Sequence, residues 1–91
     1  MKSIHYSIRY ENQTVDEDTL NFYFGEKPTK EKLAIELASS FLASEVFDLE
    51  DGNPEALGEA IPCQVGKGLW EVQFRTPFCP EPESVVVRFH S

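Results

Sequence analysis

Apolar residues return at every second position through most of this chain and at helical spacing in one stretch only, a contrast that calls for a sheet with a single helix laid on it. Ile4, Tyr6, Ile8 and Tyr10 alternate with His5, Ser7 and Arg9. Leu20, Phe22 and Phe24 alternate around Asn21 and Tyr23, and Trp70, Val72 and Phe74 repeat the pattern. Val85, Val87 and Phe89 repeat it once more. Each reads as a strand with one apolar face. Ile61–Val65 is a weaker strand, and Pro62, which has no backbone donor, assigns it to a sheet edge.

The helical stretch runs from Lys30 to about Val46, with Leu33, Ala34, Leu37, Ala38, Phe41 and Leu42 on one broad stripe and Ile35 at its margin. Thr29 is the expected N-cap, because its hydroxyl can accept from a free amide of the first turn. Gly25 should stop the strand before it, and Gly52 with Asn53-Pro54 should close the helical segment. Asn53 is placed to cap a short turn through Glu55, Ala56 and Leu57. Gly66-Lys67-Gly68 reads as a hairpin turn, and Pro77, Pro80 and Pro82 stiffen the segment before the last strand. Glu11–Thr19 is polar and acidic, and is expected to be a long loop between the first two strands.

The reading is therefore an α+β chain of β-β-α-β-β-β order, with a mainly antiparallel sheet and one helix packed on one face. Its 91 residues suffice for one domain spanning residues 1–91, and 41% hydrophobic content gives it one modest core. That core is expected to join Ile4, Tyr6, Ile8, Phe22, Phe24, Leu37, Phe41, Trp70, Val72, Phe74, Val85 and Val87.

No pattern for chemistry emerges. His5, Cys63, Cys79 and His90 are the right residue types for zinc, but they lack the closely spaced ligand pairs of structural zinc sites. Across a hairpin turn at residues 66–68, Cys63 faces Glu71, which leaves Cys79 too distant for a disulfide. Setting Gly52 as the sixth residue of a calcium loop puts Phe47, Leu49 and Gly58 at positions that require oxygen ligands. No glycine loop cradles phosphate, and no nucleophile is placed beside a base. The expectation is a non-enzyme without cofactor or metal.

Charge narrows the partners. Sixteen acids against eight bases give −8, which opposes direct nucleic acid binding and contact with anionic membrane surfaces. No apolar run would span a bilayer, and the first residues lack the apolar core of a secretory signal, so a cytoplasmic location is expected. Tracing chain direction gathers Glu11–Asp18, Glu45–Glu59 and Glu81–Glu83 at one end, twelve of the sixteen acids with no lysine or arginine among them. Asp16, Glu17, Asp18, Glu45, Asp48, Glu50, Asp51 and Glu55 are the candidate partner-binding residues of this pole.

Acids after the last turn of the helix, and lysines in its first, work against the helix dipole, so local stability does not explain the layout. The alternative surface is the uncovered sheet face, bearing His5, Arg9, Tyr23, Gln73, Arg75, Arg88 and His90. The functional expectation is a small inhibitor or regulator whose carboxylates occupy the basic surface of a protein, such as a nucleic-acid-binding enzyme. An accessory or homo-oligomeric domain assembling through the arginine-bearing face is the alternative, and a small enzyme the third.

Overall fold

The computed structural model describes residues 2–22, 28–49, 57–77 and 80–90. Five strands, β1 (Lys2–Tyr10), β2 (Gln13–Phe22), β3 (Glu59–Gly66), β4 (Leu69–Arg75) and β5 (Glu83–His90), form one sheet in the order β2-β1-β5-β4-β3. Every neighbouring pair is antiparallel. The helix α1 (Lys30–Phe41) lies between β2 and β3 in sequence, so the chain passes from one sheet edge to the other through it. The architecture is the expected small α+β fold, with the expected order of elements.

The first loop is a correction. β1 turns into β2 through only Glu11 and Asn12, both in left-handed backbone (φ 52° and 65°), as a two-residue hairpin of matching twist requires. Residues 13–19 are thus strand and not loop. The first two strands stay in register from Lys2–Phe22 to Ile8–Asp16, after which Arg9 pairs with Thr14 and Val15 is left over as a bulge. A strand of such polarity is tolerated because β2 is an edge, its outer side open to water.

Thr29 caps α1 as expected, its Oγ1 accepting from the Lys32 amide at 3.2 Å. The helix continues through a π turn, Leu42–Val46, where the Phe47 amide donates to the Leu42 carbonyl at 2.9 Å. Left-handed Asp48 (φ 47°) then redirects the chain, and Leu49 donates back to Ala43 at 2.8 Å.

Ala34, Ala38, Leu42 and Ala43 have no exposed surface, and the small alanines let the helix settle close to the sheet. Beneath them lie Val72, Phe74, Val85 and Val87, with Ile8 and Phe89 alongside. Leu37 and Phe41, expected in the core, are only half-buried at its border, as are Ile4, Phe22 and Trp70. Phe24, Gly25, Asn53, Glu55 and Ala56 lie outside the described residues, while Leu57 is fully buried.

At the other hairpin Gly66 pairs with Leu69 and the register slips at Val65, which restores the expected pairing of Cys63 with Glu71. Pro62 sits on the edge strand β3, as its missing donor demands.

Candidate functional site

The half-burial of Leu37 and Phe41 has one cause: α1 is off-centre. Among the described residues it packs chiefly on β3, β4 and β5; Tyr6 and Ile8 of β1 are still buried at its border, and the open part of this face lies over β2. The helix stripe accordingly splits into two rows. Ala34, Ala38 and Leu42 meet the sheet, while Leu33, Leu37 and Phe41, one position earlier in each turn, look toward β2.

Between that second row and β2 runs a groove in two connected parts that share Leu37 and Ser40. The upper part, about 520 Å³, has Tyr6, Ile8, Val15 and Phe41 as its apolar wall and Asp16 and Glu45 at its rim. The lower part, about 600 Å³, is lined by Leu20, Phe22, Leu33 and Pro28, with Glu36 and Lys32 at its margin. Val15 is 40% exposed, the bulge having pushed an apolar side chain out beside the groove.

Electrostatics follow from register. Asp16 and Asp18 stand opposite Ile8 and Tyr6, hence on the helix-bearing face, whereas Glu17 stands opposite Ser7 on the other. Burial first, then the charges of Asp16 and Asp18, push the Tyr6 phenol above its ordinary value. A phenolate there would sit in a half-dry pocket beside two carboxylates.

The candidate acidic residues are therefore distributed as follows. Asp16, Glu17 and Asp18 run down the edge strand instead of crowning a loop, and only Asp16 among them meets Glu45 in the upper groove. Asp48 is exposed just beyond the helix end. Glu50, Asp51 and Glu55 lie outside the described residues. The end of the sheet shared by Glu11, Glu59, Glu81 and Glu83 also holds Arg9 and Arg75, so it is not purely acidic. Arg75 is the cross-strand partner of Glu59, and Arg9 donates to the Asn12 carbonyl at 3.3 Å.

The uncovered sheet face carries His5, Arg9, Gln73, Arg75, Arg88 and His90, all exposed; Tyr23 lies outside the described residues. Among the described residues strand parity adds Glu17, Glu59 and Glu71 to it, so three arginines are balanced by three carboxylates. His5 and His90 are direct cross-strand partners. Thr19 Oγ1 hydrogen-bonds His5 Nδ1 at 2.7 Å, and Ser7 Oγ hydrogen-bonds His90 Nε2 at 3.2 Å. Among the described residues no three His, Cys, Asp or Glu side chains converge as metal ligands, and no helix is long and apolar enough to cross a membrane. Cys63 is exposed, and Cys79 lies outside the described residues.

The groove was not foreseeable as a list of residues. Its only sequence signals are Val15, a lone apolar residue in an acidic run, and the breadth of the helix stripe. Comparison with protein-family models, with curated proteins and with solved structures yields no match to this chain.

Proposed function

We propose that this chain is a small interaction protein, an inhibitor or regulator, that holds a basic protein surface in the acid-rimmed groove between α1 and β2. The observation that carries the reading is the meeting of Asp16 and Glu45, from opposite walls, over an apolar floor that includes Tyr6 and Phe41. Carboxylates above aromatic rings suit lysine and arginine side chains, whose charged heads need anions while their stems and planes lie against rings. With Glu36 the groove carries three carboxylates against the single ammonium of Lys32. The arginine-bearing sheet face, with its balanced charge, offers no comparable bias.

Paired charge reversals test this in pull-downs from lysate of the source cells. Asp16→Lys with Glu45→Lys should abolish retention of a basic partner held by the unaltered protein, whereas Arg9→Glu with Arg88→Glu should leave it intact. Retention should also weaken with added salt, since the steering charges are exposed. The opposite pattern, loss with the arginine variants only, would overturn the groove in favour of assembly through the sheet face.

A further inference from the structure

We infer that the occupant of the groove is a basic amphipathic α-helix laid alongside α1, completing the helical layer on the sheet. The inference rests on the groove being the binding site, as proposed above, and adds the shape and chemistry of what fills it. Strands are spaced ~4.8 Å apart, so five strands measure roughly 19 Å between the outer axes, while one helix with its side chains is about 10 Å across. One helix therefore covers about half of this sheet, and α1 takes the half formed by β3, β4 and β5. Beyond α1 the open strip of this face lies over β2, with the already buried Tyr6 and Ile8 of β1 at its floor. Its length suits a helix, because the groove follows α1 and its π turn from Lys32 to Glu45, a rise of ~20 Å at 1.5 Å per residue.

An extended occupant is disfavoured. A strand would add to the outer edge of β2, but there the Val15 bulge breaks the ladder, and three consecutive acids, Asp16, Glu17 and Asp18, guard the edge. A second copy of this chain is disfavoured as well, since each copy carries −8 and would meet the rim carboxylates with its own. A partner helix with an apolar stripe and flanking lysines or arginines satisfies both parts. Its stripe covers Leu37, Phe41 and Val15, and its flanks reach Asp16, Glu36 and Glu45.

The experiment uses a panel of labelled peptides, roughly four turns long as the groove requires. Each carries a Leu, Phe or Met stripe at helical spacing with Lys or Arg flanks. Each is paired with a scrambled peptide of equal charge and with a version broken by a central proline. Binding is read by fluorescence anisotropy, and the bound surface by amide and methyl NMR shifts. At least one striped peptide should bind tenfold or more tighter than its scrambled and proline-broken versions. Its shifts should centre on Tyr6, Leu37 and Phe41, and Asp16→Lys with Glu45→Lys should weaken it tenfold or more.

Equal binding of the proline-broken peptides, with shifts still in the groove, would overturn the helix and leave the basic-partner reading standing. Shifts centred on Arg9 and Arg88 would overturn both. Should no peptide of the panel bind while the pull-down partner still depends on Asp16 and Glu45, the helix inference alone falls. Concentration-dependent dimerisation that peptides fail to displace would overturn the choice of occupant in favour of a second copy.

Discussion

Tyr10 donates its phenolic hydrogen to Glu83 Oε2 at 2.7 Å, tying the end of β1 to the start of β5, and its ring meets Phe41 edge-on with centroids 5.5 Å apart. One side chain thus joins the sheet to the helix at the upper end of the groove. Tyr10→Phe should keep the ring contact and lose the hydrogen bond, costing about 1–2 kcal/mol, as for a part-buried bond to a carboxylate. Tyr10→Ala should cost more, because the edge-on pair contributes a further ~0.5–1.5 kcal/mol beyond its buried area. Urea midpoints at unchanged slope check both values.

Alkaline pH should destabilise the domain through Tyr6. Burial and the carboxylates of Asp16 and Asp18 raise its phenol above the ordinary 10.0, so the folded state holds that proton more tightly than the unfolded chain. This contribution is fully present below 10.0 and is lost as pH climbs through the raised value. Melting temperatures followed into the alkaline range should fall for the unaltered protein and fall less for Tyr6→Phe. Asp16→Asn should bring the phenol back toward its ordinary value in an ultraviolet titration, burial remaining the larger cause.

Gly58 has φ +88°, and a Cβ there would stand 2.5 Å from the Arg75 carbonyl oxygen. Gly58→Ala should therefore destabilise by about 2 kcal/mol or more, combining left-handed strain with a backbone clash that no rotamer relieves. Gly66 is the control. Its added Cβ meets only the Leu69 side chain, Cβ at 3.5 Å and Cδ2 at 3.7 Å, both ordinary contacts, so Gly66→Ala should stay within about 1 kcal/mol. Thermal unfolding of the two variants separates a required glycine from a tolerant one.

Period-two alternation was sufficient to locate β1, β4 and β5, whose apolar sides all meet one core. Thr29 was readable as a cap and Pro62 as an edge residue because both signals are local, a missing or supplied hydrogen-bonding group. The first half of β2 was not readable. Alternation appears only where one face is buried, and Asp16 and Asp18 occupy the core-side parity at a place that α1 does not cover. Their strand is held by backbone pairing to β1 and by the left-handed pair Glu11 and Asn12, and neither leaves an apolar trace.

The groove was hidden for a related reason. The sequence marks Leu37 and Phe41 as apolar, but which helix row meets the sheet depends on where α1 comes to rest. That resting place, chiefly over β3, β4 and β5, is a tertiary outcome that no local pattern records.

β1 and β5 are neighbours, with His5 opposite His90 and Tyr6 opposite Phe89, so the interior of the sheet is built from stretches lying more than seventy residues apart along the chain. During synthesis the β1–β2 hairpin and the helix leave the ribosome before the β3–β4 hairpin. Until residues 83–90 emerge, no strand pairing among the described residues joins the two halves of the sheet, and the inner edge of β1 stays wet. Such late, long-range closure makes for slow folding relative to size. An interrupted chain would be poised as two loose hairpins with an unsheltered amphipathic helix between them, a form whose exposed apolar surface and unpaired strand edges invite aggregation.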